Sequence, residues 1–185
     1  MQSRSAPCAA CSARCEQAHR VPRTAHTSLF TPHYNYPAMS MTAIVRLAAR
    51  TDADRIAVLS GQLGYQATPE QIRERLGPIL GDLEQAVFVV EMNGEAAGWL
   101  HVFIRQTLEA ERQAEIAALV VDEKFRGATL GRQLVARAEA WALGRGVNLI
   151  RVRSRVARER AHKFYLGLGY ETVKDQRVFQ KRLAH

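Results

Sequence analysis

The sequence predicts a single mixed α/β domain with the element order β-α-α-β-β-β-α-β-α-β-β, preceded by an extension outside the fold. From Met41 onward, β-type apolar runs alternate with segments of helical periodicity. The dipeptide Asn93-Gly94 separates two such runs, as is typical of a β-hairpin. The chain has 185 residues, 47% of them hydrophobic, which is enough for one ordinary core. No apolar run reaches the ~18 residues that a membrane-spanning helix needs.

The first elements are predicted from their end signals. Residues 44–47 form a short apolar strand, and residues 51–54 spell a capping box before the first helix. Residues 68–71 repeat this signal, with proline at the first helical position and glutamine three residues after the cap. Apolar residues at helical spacing follow each signal, so we expect two successive helices.

The remaining elements follow from periodicity and turn residues. In chain order they are a hairpin of residues 86–91 and 97–104, a strand at 114–121, a helix from about Leu130 to Trp141, a strand at 148–153, a helix at 158–168, and strands at 170–174 and 177–183.

Residues 1–40 show neither helical nor strand periodicity and contain all three cysteines. Four potential zinc ligands stand there at C-x2-C-x3-C-x3-H spacing: Cys8, Cys11, Cys15 and His19. No hydrophobic residues around them would build a scaffold, so we predict no metal. The preferred interpretation is a disordered extension, or an upstream start codon with initiation at Met39 or Met41, before a domain of residues 41–185. No apolar segment of a secretory signal follows the early arginines, and a cytoplasmic protein is predicted.

The segment before the long helix is the most informative part of the sequence. An apolar strand runs into residues 126–131, which open a helix, so consecutive N–H groups and the positive helix end can bind phosphates. Gly127 and Gly131 allow close backbone approach, while Arg126 and Arg132 add positive charge. The segment lacks the Gly-Lys-Ser/Thr of a Walker loop and the G-x-G-x-x-G of a dinucleotide site. An ordinary glycine-containing turn with a helix cap is the open alternative.

Residues 126–131 resemble the Q/R-x-x-G-x-G/A signature of the GCN5-related N-acetyltransferase (GNAT) superfamily. Residues 161–170 resemble its A-x-x-x-Y-x-x-x-G-F/Y element. The separation of the two elements and the predicted element order also fit, so the resemblance covers about 145 residues from Met41 onward. Two positions depart from the pattern: Thr129 stands where a second glycine is usual, and Arg158 where an asparagine often stands.

The resemblance implies acetyl-CoA as co-substrate and a GNAT-like fold. The strand at 114–121 would carry the pantetheine arm along its edge, the strand at 148–153 would splay away from it, and the loop would hold the pyrophosphate. The residues implied to contact the co-substrate are Leu119, Val120, Val121, Arg126, Gly127, Ala128, Thr129, Leu130, Gly131, Arg132 and Arg158.

Glu115 is the candidate general base. Strand alternation predicts one face shared by Glu115, Ala117, Leu119 and Val121, and a carboxylate on an apolar central strand needs hydration or a partner. In the resembled family a carboxylate on this strand often serves as the base, directly or through water. The alternative is a solvated residue at the start of the strand, with Glu109 and Glu111 as further candidates.

Tyr165 is the candidate general acid, because the resemblance puts it near the cofactor sulfur, where a phenol can protonate the leaving thiolate. The alternative is an aromatic residue that packs between helix and sheet. His162 is left without a role. The resemblance also implies that Tyr65, Trp99 and His101 line the acceptor pocket.

Basic residues concentrate between positions 145 and 163, within a chain of formal net charge +8. They are Arg145, Arg151, Arg153, Arg155, Arg158, Arg160 and Lys163. They form a solvated surface or recognise the adenosine 3′-phosphate or an acidic acceptor. A nucleic-acid surface is disfavoured, because few aromatic residues are interleaved and no nucleic-acid motif is present.

Taken together, the residues and the resemblance predict an N-acetyltransferase that moves an acetyl group from acetyl-CoA directly to a primary amine of a small molecule or peptide. All cysteines precede Met41, so a cysteine acyl-enzyme within the domain is excluded. The alternatives are a catalytically silent acyl-CoA-binding module and, less favoured, a basic nucleic-acid-binding protein. A homodimer is left open, and no membrane association is expected.

Overall fold

The structure, a computed structural model, describes residues 42–127 and 129–183. The strands are β1 (Ala43–Leu47), β2 (Gln85–Met92), β3 (Glu95–Thr107), β4 (Ala110–Val121) and β5 (Ile150–Val152). The helices are α1 (Ala53–Leu63), α2 (Pro69–Gly81), α3 (Leu130–Leu143) and α4 (Glu159–Leu166), with 3-10 turns at Arg50–Asp52 and Glu123–Phe125.

One sheet with the strand order β1-β2-β3-β4-β5 organises the domain. Its first four strands are antiparallel, and β5 pairs with β4 in parallel. The predicted mixed α/β class is therefore confirmed.

Apolar side chains cover both faces of the sheet. In β2, Phe88 and Val90 join the core beneath α3, whereas Val87 and Val89 join a second core with α1 and α2. Because successive side chains point to opposite faces, a strand covered on both sides is apolar at every position. This arrangement explains the uninterrupted apolar run that begins at Ala86.

Two of the predicted local signals are present in the structure. The Thr68 side chain accepts a hydrogen bond from the Gln71 N–H at 3.3 Å, and the Gln71 side chain accepts one from the Thr68 N–H at 3.1 Å. Asn93 and Gly94 adopt positive φ angles of 52° and 82° between β2 and β3, as the predicted hairpin turn requires.

The capping box predicted at residues 51–54 is wrong. Residues 50–52 form a 3-10 turn and α1 begins at Ala53. The Asp52 carboxylate instead accepts hydrogen bonds from the Ala49 N–H at 2.7 Å and from both terminal nitrogens of Arg46 at 2.8 Å. The interaction of Asp52 with Arg46 on β1 thus replaces the capping interaction predicted within residues 51–54.

The two strands predicted at residues 170–174 and 177–183 are also wrong, since these residues form no regular element. Val173, Val178 and Phe179 are 74–89% exposed. A strand needs a neighbour for its backbone hydrogen bonds, and this segment has β propensity but no strand partner within the described chain.

The predicted extension of residues 1–40, with its cysteines, lies outside the described residues. Within residues 42–127 and 129–183, no helix is long and apolar enough to cross a membrane.

Candidate active site

A slot opens where β5 leaves β4. The parallel register pairs Ala114 with Ile150 and ends at the pair of Ile116 and Val152, while β4 continues to Val121. Beyond Ile116, β4 therefore has no strand partner on this side among the described residues. This separation agrees with the predicted splay and leaves backbone groups of β4 for a ligand.

A β-bulge at Ala117 changes the facing of β4 next to this slot. His101 on β3 pairs with Ala118 and Val102 with Ile116, so Ala117 is the extra residue. Leu119 consequently packs against the α3-side core that contains Ile116. The predicted single face carrying Glu115, Ala117, Leu119 and Val121 is wrong, because one inserted residue reverses the alternation.

A cavity of about 790 Å³ lies between the end of β4, the loop before α3, and α4; we call it the loop cavity. Most of the residues implied to contact the co-substrate line it. They are Leu119, Val120, Val121, Arg126, Gly127, Thr129, Leu130, Gly131, Arg132 and Arg158. Ala128 lies outside the described residues.

The loop backbone turns sharply before α3. Gly127 has a φ of +91°, with open space where a Cβ would stand, and Thr129 has a φ of +61°. A β-branched residue is strained in this left-handed region, so Thr129 adopts a conformation that glycine would adopt at lower cost. The turn brings the loop to the positive N-terminal end of α3, where phosphates bind. The Arg126 guanidinium lies 2.7 Å from the Glu123 carboxylate at the rim.

A second cavity of about 420 Å³ lies against α1 and α2; we call it the helix-side cavity. Tyr65, Trp99 and His101, which the resemblance assigns to the acceptor pocket, line it. Five residues line both cavities: Leu63, Leu119, Arg158, Ala161 and Tyr165. The cavities therefore adjoin at these residues, where a group from one side can meet a group from the other.

Tyr165 is buried at this junction, with 9% of its surface exposed. Burial raises the pKa of its hydroxyl to about 12, although the nearby Arg158 charge acts in the opposite direction. The phenol is therefore neutral and carries its proton at physiological pH. Edge contacts with the rings of Phe164 and Tyr170, at centroid distances of 5.1 and 5.4 Å, hold the ring in place.

Glu115 is buried on the sheet between two arginines. Its carboxylate lies 3.3 Å from Arg105 Nη1 and 3.1 Å from Arg153 Nε. These ion pairs are the partners that a buried carboxylate needs. Glu115 lines neither cavity, but Arg153 lines the helix-side cavity. Glu109 and Glu111 are exposed near the β3–β4 turn and also line neither cavity.

His101 is a further titratable group in the helix-side cavity. Burial lowers its pKa, so its imidazole is neutral at physiological pH. Its Nε2 lies 3.2 Å from Gln85 Oε1, an acceptor, which assigns the proton to Nε2 and leaves Nδ1 as an acceptor. In the sequence, only the position of His101 on the predicted hairpin indicated that this residue belongs to the site.

The basic residues between positions 145 and 163 have different roles in the structure. Arg145 packs over Trp141 at 4.2 Å and donates to the Leu83 carbonyl oxygen at 2.9 Å, so it supports the fold. Arg153, Arg155 and Arg158 line the helix-side cavity. His162 lines neither cavity, and its Nε2 lies 3.1 Å from the Arg155 carbonyl oxygen.

Arg75 and Ile72 of α2 also line the helix-side cavity, which sequence reasoning missed. Their helical spacing carried no signal beyond an ordinary surface helix. No cluster of metal-ligating side chains occurs within the part of the chain that the structure describes.

The described residues form a mixed sheet splayed between β4 and β5, with a glycine-containing turn before α3 at the mouth of the slot. Residues 42–170 match the acetyltransferase (GNAT) family, and the chain belongs to that family. It is therefore an acetyl-CoA-dependent acyltransferase.

Two curated relatives are similar over most of their length. The aminoalkylphosphonate N-acetyltransferase of Salmonella typhimurium is 32% identical over 133 residues, which cover 69% of this chain and 84% of the relative. An aminoglycoside N(6')-acetyltransferase type 1 of Stenotrophomonas maltophilia is 29% identical over 126 residues, covering 65% and 82%.

Solved structures share the fold. The aminoglycoside N-acetyltransferase AAC(6')-Iy in complex with CoA superposes with a TM-score of 0.72 at 19% identity, covering 79% of this chain and 99% of that chain. At this identity the likeness extends to the fold alone.

Proposed function

We propose that the protein transfers an acetyl group from acetyl-CoA directly to a primary amine, with Glu115 as general base and Tyr165 as general acid. The observation that carries this proposal is that Tyr165, a buried neutral phenol, lines both cavities. The loop cavity would take the co-substrate and the helix-side cavity the amine.

The residues of the loop cavity suit a coenzyme A phosphate chain. Backbone N–H groups of residues 126–132, Ala128 included, would hold the pyrophosphate at the start of α3, with charge from Arg126, Arg132 and Arg158. The edge of β4 from Leu119 to Val121, which faces away from β3 and has no strand partner within the described chain, would hold the pantetheine arm. When bound, acetyl-CoA supplies an acetyl group activated as a thioester.

Two proton transfers complete the proposed reaction, in which the amine nitrogen–acetyl carbon bond forms and the carbon–sulfur bond breaks. Glu115 takes a proton from the ammonium through water, because it lines neither cavity. Tyr165 donates its phenolic proton to the departing thiolate. His101, neutral and inside the helix-side cavity, is a second candidate for the base.

Thiol release from acetyl-CoA across a panel of primary amines tests this function. Release that depends on an amine supports the transferase. Binding of acetyl-CoA without release for any amine would favour the catalytically silent module. Binding to duplex or single-stranded nucleic acid at physiological salt would favour the remaining alternative, which is disfavoured from the sequence.

The names of the two relatives do not define one acceptor for this chain. An aminoalkylphosphonate carries an anionic group, whereas an aminoglycoside carries several ammonium groups. Both are amines, which supports the reaction type proposed here. The charge of the acceptor has to be inferred from the residues of this chain.

A homodimer remains part of the proposal. The apolar side chains of Val173, Val178 and Phe179 are exposed, and β5 has a free edge within the described chain, so a second copy could cover both. Light scattering during gel filtration tests this: a monomer mass at micromolar concentration would contradict it. The cytoplasmic location stays a prediction from the sequence.

A further inference from the structure

We infer that the amine acceptor carries an anionic group, a phosphonate, phosphate or carboxylate, which the helix-side cavity binds through arginine side chains and Trp99. This inference rests on the proposed function, because it assigns the acceptor to that cavity. It goes further by choosing one charge class among amines.

The charge of the cavity lining has one sign. Its charged side chains are Arg75, Arg153, Arg155 and Arg158, and no aspartate or glutamate occurs among the described residues that line it. A site for a polycation would need carboxylates here, whereas guanidinium groups repel additional ammonium groups and attract anions.

Two of these arginines are already engaged. Arg153 is paired with Glu115 at 3.1 Å, and Arg158 donates to the Leu63 carbonyl oxygen at 2.8 Å. The Arg155 guanidinium carbon lies 5.9 Å from the centroid of the Tyr65 ring, and Arg155 makes no ion pair with a described residue. Arg75 makes no ion pair with a described residue. Arg75 and Arg155 therefore carry the charge that a bound anion would neutralise.

Trp99 provides an independent observation. Its Nε1–H is buried and has no hydrogen-bond partner within the described chain, although the side chain lines the cavity. An indole N–H can only donate, and buried donors in folded proteins nearly always find an acceptor. Because the Nε1 atom is closed to solvent, a ligand oxygen would satisfy it as neighbouring side chains shift on binding.

The cavity is thus rich in donors and has no anionic acceptor among its described residues. Guanidinium and indole groups are donors only, and the Ser60 hydroxyl already donates to the Ile56 carbonyl oxygen at 2.7 Å. The oxygens of a phosphonate or carboxylate accept several hydrogen bonds and suit this set. Apolar side chains such as Leu76 and Val87 would contact a short alkyl spacer.

The same charge would assist the chemistry. An ammonium group close to arginines is disfavoured by like-charge repulsion, so its pKa falls and the free amine becomes more abundant. The arginines would hold the anionic end of the acceptor while favouring the neutral, nucleophilic form of its amine.

The test compares amines of matched spacer length whose terminal groups differ in charge: β-alanine with β-alaninamide and 3-aminopropylphosphonate with 3-aminopropanol, with spermidine as a polycation. We expect kcat/KM from thiol release to be at least about 30-fold higher for each anionic amine than for its neutral partner. Equal or higher kcat/KM for the neutral amines or for spermidine would overturn the inference. The two anionic amines distinguish a carboxylate from a phosphonate acceptor.

Variants on one helix provide a matched control. Arg75→Met should lower the anionic-to-neutral selectivity ratio about tenfold, whereas Arg73→Met should leave it within about twofold. Arg73 lies two positions earlier, pairs with Glu70 at 3.2 Å and does not line the cavity. Trp99→Phe removes one donor and should raise KM for the anionic amine more than for the neutral one. A selectivity ratio insensitive to Arg75→Met, Arg155→Met and Trp99→Phe alike would contradict the assignment.

Binding separates this inference from the proposed function. If acetyl-CoA binds and no amine releases thiol, the transferase proposal fails, and calorimetry on the CoA-loaded protein still decides the charge class. Propylphosphonate and butyrate should then bind at least about tenfold more tightly than propylamine, and Arg75→Met should remove this difference. Tighter binding of propylamine would refute the anionic class.

Discussion

Arg55 of α1 and Asp122, the residue after β4, form an ion pair that joins a helix on one face of the sheet to the start of the loop before α3. Arg55 Nη2 contacts Asp122 Oδ2, and Arg55 Nε donates to the Ala96 carbonyl oxygen at 2.9 Å. Asp122 is 2% exposed and also accepts a hydrogen bond from the Lys124 N–H at 3.0 Å. The pair therefore fixes the direction in which the chain leaves β4.

Replacing Asp122 by asparagine should destabilise the domain by about 2–3 kcal/mol, because Arg55 loses the buried one of its two carboxylate partners and keeps only the exposed Glu95. Urea unfolding at pH 7 measures this change. Asp54→Asn is the control, since Asp54 pairs with Arg73 at the exposed surface and should cost less than about 1 kcal/mol. Equal effects of the two variants would contradict a structural role for the buried pair.

Asp122 should also contribute to acid sensitivity. The Lys124 N–H and, beyond it, the Arg55 guanidinium lower the pKa of this carboxyl below its usual 3.8, so the folded state holds the proton less tightly than the unfolded state. Its contribution is present above about pH 4 and is lost as the pH falls through the folded pKa. In Asp122→Asn, unfolding free energy should fall less steeply below pH 4 than in the parent protein. Parallel curves would count against this linkage.

Tyr165→Phe should lower kcat by about 100-fold while changing the Kd for acetyl-CoA by less than about threefold, because it removes a proton donor and keeps the ring. Tyr170→Phe is the matched control: the Tyr170 hydroxyl donates to Glu139 Oε1 at 3.0 Å and lines neither cavity. An unchanged kcat in Tyr165→Phe would exclude the acid role.

The titration of Tyr165 has a spectroscopic signature. Its phenolate absorbance should develop near pH 12, later than that of an exposed tyrosine, because burial raises its pKa. The difference between the titration curves of the parent protein and Tyr165→Phe isolates this group. A difference centred near pH 10 would show that the hydroxyl is not buried in solution.

The two candidate bases can be separated by substitution. If Glu115 is the base, Glu115→Gln should lower kcat by about 100-fold or more, and His101→Asn should have a smaller effect. Because Glu115 also neutralises Arg105 and Arg153, the unfolding temperature must be followed in the same variants. Glu111→Gln is the exposed control on the same strand. A larger loss in His101→Asn would transfer the base role to the imidazole.

Thr129→Gly should stabilise the domain by about 0.5–1 kcal/mol, because glycine relieves the strain of a φ of +61°. The greater conformational entropy of glycine in the unfolded chain offsets part of this gain. Thr68→Gly should destabilise it, since the Thr68 cap of α2 is lost at a normal φ of −77°. Thermal unfolding measures both. Destabilisation by Thr129→Gly would indicate that the threonine side chain outweighs the backbone strain.

Much of the fold was predictable from local signals, and the failures have a common cause. The Thr68 cap and the Asn93-Gly94 turn depend on residues close in sequence, and both formed. Residues 170–183 have comparable β propensity, yet they form no strand, because pairing depends on a distant edge.

The candidate site shows the same division between features that depend on local sequence and features that depend on contacts between distant segments. The glycine-containing loop and Tyr165 were identified from the resemblance to two GNAT motifs, and they line one cavity. The pairing of Glu115 with Arg105 and Arg153 was not predictable, since it joins β3, β4 and the residue after β5. Nor was the face of Leu119, because the bulge at Ala117 arises from the register between β3 and β4.

The sequence by itself determined the element order as far as α4, the glycine-containing turn before α3 and the family of the protein, because these depend on periodicity and short motifs. Only the tertiary structure decided which charges meet. Arg75 on α2 and Arg155 after β5 are 80 positions apart in the chain and line one cavity with Trp99. The charge of a cavity is a sum over side chains from distant segments, and folding alone brings them together.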